Sequence, residues 1–128
     1  MSRDASITLT WADSDYTFRL PWAQLEMLQE ATEAGPWVVL ERLAYKTCKV
    51  GDISHVLRCG LIGGGIEPAK AVTLVREYVE KRPPAENLLH AQAVLTIALH
   101  GAPEEEVGEG EAANPVEGDS LTTSPTES

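Results

Sequence analysis

The sequence predicts an α+β fold: an N-terminal β-hairpin packed on a bundle of four to five short helices, followed by a disordered acidic C-terminal tail. Three observations lead there. Two short segments near the N-terminus alternate apolar and polar residues with period 2. The segments after them carry apolar residues at helical spacing, and prolines introduce most of them. The last 28 residues hold 8 acidic side chains, no basic ones and few apolar ones.

The hairpin comes first. In "SITLTW" the apolar residues are Ile7, Leu9 and Trp11, and in "YTFRL" they are Tyr16, Phe18 and Leu20. Thr8, Thr10, Thr17 and Arg19 alternate with them, so one face is apolar and needs cover. Ala12-Asp13-Ser14-Asp15 is the turn. The outer strand keeps an unpaired edge that can recruit another chain.

Pro21 suits the first position of a helix carrying Trp22, Leu25 and Leu28, with Met27 adjacent; Gly35 ends it. Pro36 opens a second helix with a stripe of Trp37, Leu40, Leu43 and Ala44. "TCKVGD" is an extended connection, and Asp52 caps a third helix whose Ile53, Val56, Leu57 and Leu61 share one side. Pro68 starts a fourth helix with Ala71, Val72, Leu74, Val75, Tyr78 and Val79, broken by "RPP". The fifth, from about Pro84, holds Leu88, Leu89, Ala91, Val94, Leu95, Ala98 and Leu99. Its apolar residues cover nearly every face, which marks it as the central core helix. Residues 1–103 thus form one folded domain. Residues 104–128 cannot bury enough apolar area to offset chain entropy and form the tail.

The formal net charge is −10, but residues 1–100 hold 12 acidic and 10 basic side chains. A nearly neutral body with an acidic tail speaks against nucleic acid, which demands clustered Lys and Arg, and against anionic membranes. No stretch reaches the roughly 20 apolar residues that span a bilayer. The polar start "MSRD" is no signal peptide, and the two cysteines, Cys48 and Cys59, lack CxxC spacing. The expected location is the cytoplasm.

"GLIGGG" is the one stretch suggestive of a ligand. Gly60 and Gly65 have phosphate-loop spacing, but Ile66-Glu67 stand where Lys and Ser or Thr belong, and the context is helical. The dinucleotide pattern fails too, with Pro68 at its third glycine. The better reading is a structural hinge. Gly63, Gly64 and Gly65 close helix three through left-handed angles, and Gly60 permits close packing against another helix.

No catalytic set is present. His55, His90 and His100 form no i,i+4 pair, and no H-E-x-x-H, G-x-S-x-G or EF-hand pattern occurs. His55 and Cys59 could meet across a helical turn and hold a metal only weakly. We expect no catalytic, metal or cofactor-binding residues. The candidate partner-binding residues are instead Trp37, Met27 and Trp22. Tryptophan dominates many interfaces, and methionine adapts to varied side chains. Trp37 follows a Gly-Pro turn and so lies near a surface.

The segment "RCGLIGGGIEPAKAVTLVREYVEKRPPAENLLHAQAVLTIALHG", Arg58 to Gly101, resembles the gene-transfer-agent family of phage tail assembly chaperones, also described as gene-transfer-agent tail proteins. "GLIGGG", Pro68, "LVREYVEKRP" and the "AQAVL" helix carry the likeness, and "ITLTW", "YTFRL" and "LQEATEAGPWVVLERL" agree in order and spacing. It covers about residues 5–103. The resemblance implies a non-enzymatic protein that binds the tape measure protein, helps recruit tail tube subunits and leaves before the particle is finished. Its partners would be those two proteins and a possible homo-oligomer. The rival readings are a structural tail component retained in the particle, a nucleotide-binding enzyme using the Gly60–Gly65 loop, and a small acidic regulator.

Overall fold

The structure, a computed structural model, describes residues 5–101. The predicted tail, 104–128, lies outside the described residues. β1 (Ser6–Trp11) and β2 (Ser14–Arg19) pair antiparallel, with Ile7 opposite Phe18, Leu9 opposite Tyr16 and Trp11 opposite Ser14. The turn is two residues, Ala12-Asp13, shorter than the predicted four. Ala12 takes a φ of 59°, the twist a tight hairpin needs. Thr8 and Thr17 share a 2.9 Å hydroxyl hydrogen bond on the polar face, and Trp11, Tyr16 and Phe18 are buried on the other.

Five helices follow: α1 (Trp22–Thr32), α2 (Pro36–Tyr45), α3 (Val50–Gly63), α4 (Pro68–Val75) and α5 (Ala85–His100). A π-helical stretch, Arg76–Glu80, continues α4. The predicted hairpin-on-helices architecture is the observed one, but several details differ for physical reasons. Helix α1 ends at Thr32, before Gly35. Glu33 takes the left-handed turn at φ 59°, and Gly35 has an ordinary φ of −67° at the entry to α2. Lys46 ends α2 in the same way, at φ 60°. A side chain in that region costs about 1 kcal/mol or more relative to glycine. Glu33→Gly and Lys46→Gly should therefore each raise stability by up to about 1 kcal/mol in thermal unfolding. Lowered melting temperatures would contradict this.

Asp52 caps α3 from inside it. The helix begins three residues earlier than predicted, and the Asp52 carboxylate reaches back to accept the Lys49 backbone N–H at 2.9 Å. Arg42 lies 3.5 Å from the same oxygen, so the buried carboxylate has a cationic neighbour. That pairing ties the end of α2 to the start of α3.

The central helix is α3 and not α5. Ile53, Val56, Leu57, Cys59 and Leu61 are all buried, and α3 packs against α1, α2, α4, α5 and β2. Helix α5 buries Ala91, Val94 and Leu95 but leaves Leu89 exposed. Apolar residues on every face gave the sequence reading no way to tell a surrounded helix from one with an uncovered apolar side.

The glycine run joins the hairpin to this core. Within it only Gly65 has a positive φ, 113°. Gly64 sits at φ −84°, an angle any residue adopts, so left-handed geometry does not explain it. A Cβ at Gly63 would collide with the Arg19 carbonyl oxygen, and one at Gly64 with that of Thr17. These glycines let the backbone of β2 rest directly on the end of α3. Gly60 plays a milder part: a Cβ there would come within 3.2 Å of Phe18 and Val94, one from the hairpin and one from α5.

One buried amide fastens the opposite side. The Trp11 indole N–H donates to Asn87 Oδ1 at 2.7 Å, and Asn87 Nδ2 donates to the Tyr78 carbonyl at 2.8 Å. The residue that would serve this carbonyl from five positions on is Pro83, which has no N–H. Asn87 supplies the missing donor and so joins β1, the π-helical stretch and α5.

Candidate functional site

Helix α2 packs inward through Val39 and Leu43, with Leu40 half-buried. The predicted stripe of Trp37, Leu40, Leu43 and Ala44 is out of phase: Trp37 is 58% exposed, and Ala44 is exposed. Apolar residues stand on more than one face of α2, so sequence spacing admits two stripes. The i,i+4 pair Val39 and Leu43 is the one that reaches the core. The other stripe faces out. Val38 and Tyr45, one heptad apart, are exposed beside Trp37 and Ala44, with Glu41 and the partly buried Arg42 the charges between them. Val38 and Tyr45 were missed by sequence reasoning, although their spacing is visible once the phase of α2 is known.

Trp37 stands at the first turn of α2, where its ring meets His100 of α5 edge-on, with centroids 5.0 Å apart. This contact fixes the indole at one margin and leaves the rest of it to solvent. An aromatic held this way presents large apolar area with little rotamer freedom left to lose on binding.

The other two predicted residues lie on α1. Trp22, its first residue, is 79% exposed. Met27 is 37% exposed, with its sulfur 3.9 Å from Arg58 of α3. Five residues apart on a helix, they project about 140° from one another. Trp22 and Met27 therefore stand on different faces of α1, and Trp37 takes its aromatic partner from α5. Trp11 is the tryptophan that fills the space between hairpin and helices.

The titratable groups are placed for packing. Burial pushes the thiols of Cys48 and Cys59 up, so both remain protonated. Burial and the nearby Arg58 hold His55 below its ordinary value, and its Nδ1 lies 3.2 Å from the Arg58 guanidinium. That cation engages Nδ1, one of the two ring nitrogens through which His55 could hold a metal. Tyr16 is pushed up to about 12, chiefly by the hydrogen bond its hydroxyl donates to Asp13 at 2.6 Å. Among the described residues no group of three or more His, Cys, Asp or Glu side chains is arranged to hold a metal ion. The backbone of β2 fills the space against Gly63 and Gly64, which leaves no room for a phosphate on that side of the two glycines. An indentation of about 340 Å³ between the start of α3 and the π-helical stretch is lined by Val50, Ile53, Val79 and Pro84, with the charged Glu80 and Arg82 also on its wall. The arrangement is suited to apolar protein contact.

The family model of the phage tail tube protein, GTA-gp10, matches residues 4–101. The chain belongs to this family. Its members are structural proteins of phage tails, which gives the chain a tail-associated role in contact with other tail proteins. The resemblance seen in the sequence agrees at the level of a gene-transfer-agent or phage tail protein, while the family is described by the tube and not by a chaperone. No curated protein and no solved structure matches the chain at a significant level. Among the described residues no helix is long and apolar enough to cross a membrane.

Proposed function

We propose that the protein is a non-enzymatic, tube-associated component of a phage-like tail, working by protein contact through the outer face of α2. The family match supports the place in the tail. The observation that carries the mode of action is Trp37, an aromatic side chain pinned by His100 yet 58% exposed, with Val38 and Tyr45 beside it. A second reading is a chaperone that binds the tape measure protein during assembly and then leaves. Trp22 and Met27, exposed on α1, favour it, because a holder of a long helical chain gains from more than one apolar contact.

Two measurements test these readings. Quantitative mass spectrometry of purified particles separates them: a tube component is present at a fixed, high copy number per tail, and a chaperone is missing. Trp37→Asp tests the face itself. It should weaken capture of co-expressed tail proteins by about 10-fold or more while leaving the melting temperature unchanged. Undiminished capture would overturn the assignment to α2.

A further inference from the structure

The two strands of the hairpin are covered unequally. Tyr16 and Phe18 of β2 are buried, yet Leu9 and Ile7, their cross-strand partners on the same face, are only half-buried. The core face runs out at β1. Beyond Ile7 lies a groove of about 380 Å³ along α5, lined by Leu89, Gln92, Ala93, Thr96 and Ile97. Leu89 is 74% exposed there. The sheet has two strands, so no described strand pairs with the outer edge of β1. A two-residue turn makes Trp11 and Ser14 the first hydrogen-bonded pair, followed by Leu9 with Tyr16 and Ile7 with Phe18. Thr8 and Thr10 therefore direct their backbone N–H and C=O groups outward. The carbonyls of Thr17 and Arg19 point away from β1 by the same alternation, as their approach to Gly64 and Gly63 requires.

We infer that the β1 edge and the adjoining α5 groove form a homodimer interface, in which two copies of this chain join their β1 strands antiparallel about a two-fold axis at Thr8. Three features select a second copy as the occupant. The outward N–H and C=O of Thr8 match their own image when the axis passes through that residue. Ser6–Trp11 and the groove contain no Asp, Glu, Lys or Arg. Two chains of like charge meet here without repulsion, whereas an acidic or basic partner finds no counter-charge. Leu89 beside the smaller Ala93 offers a projection and a recess on the same surface, the self-matching relief that a two-fold contact uses. The pairing yields a four-stranded sheet and covers Ile7, Leu9 and Leu89 together. It is independent of the contact proposed for α2.

Sedimentation of the full chain at tens of micromolar tests this. The expected mass is that of a dimer. Leu89→Glu, at an exposed position that cannot unfold the core, should shift the chain to monomer, as should Thr8→Pro, which removes an outward N–H. In a Cys48→Ser background, Thr8→Cys should form a symmetric disulfide under mild oxidation, since Cα atoms of a hydrogen-bonded antiparallel pair lie about 5.5 Å apart. Thr10→Cys, which faces residue 6 of the other copy, should not. A monomeric parent would overturn the inference, even if another tail protein adds to the edge. So would a dimer whose mass is unchanged by Leu89→Glu, or equal cross-linking at positions 8 and 10.

Discussion

Gly64→Ala should cost the domain about 3 kcal/mol or more and lower its melting temperature by about 12 °C or more. One methyl group has this effect because its obstacle is the Thr17 carbonyl, part of the main chain, which cannot rotate away as a side chain does. Relief requires the hairpin to lift from α3, exposing Phe18, which has no solvent exposure in the fold. Gly63→Ala should behave alike, against Arg19. Two controls isolate the cause. At Gly51 the nearest atom to an added Cβ is His55 Nε2 at 3.6 Å, ordinary contact, so Gly51→Ala should leave stability unchanged or slightly raised. Gly60→Ala, with two flexible side chains at 3.2 Å, should fall between. Chemical denaturation of the four variants checks this order. Equal losses at positions 51 and 64 would refute the steric account.

Trp11→Ala should be about as severe, at about 3–5 kcal/mol. The indole is 4% exposed and meets the rings of Tyr16, Phe18 and Tyr78 edge-on, with centroids 5.6–6.1 Å apart. Its removal leaves a large cavity and deprives Asn87 Oδ1 of its indole donor, leaving His90 Nδ1 at 3.3 Å as the remaining neighbour. Trp11→Phe separates the two effects by keeping much of the volume while losing the N–H. It should cost about 1–3 kcal/mol, and adding Asn87→Leu should give a double-mutant coupling above about 0.5 kcal/mol. Fluorescence gives a second readout. Trp22 and Trp37 are exposed, so the variant should lose the short-wavelength part of the emission and keep the rest. A loss below about 1 kcal/mol for Trp11→Ala would mean that the hairpin is not held by this contact.

The hairpin was legible because its alternation is short and clean and a turn-prone stretch separates the two halves. The helix starts at Pro36 and Pro68 were legible because a missing N–H costs nothing there. What resisted was orientation. In α2 and α5 apolar residues occupy several faces, and only the neighbouring elements decide which face is covered. The hinge reading of the glycines invoked left-handed angles that Gly63 and Gly64 do not take, since close backbone approach leaves no local pattern in a sequence. The candidate residues on α1 and α2 were named from residue type. Val38 and Tyr45, which complete the exposed face of α2, depended on a phase that only packing supplies.

The contact of β2 with Gly63 and Gly64 has a kinetic consequence. Some 45 residues of chain separate the two surfaces, so bringing them together carries a loop-closure cost that local contacts do not. The ribbon and the last turn of α3 should therefore acquire protection from hydrogen exchange in one cooperative event, late in folding and after the intervening helices have collapsed.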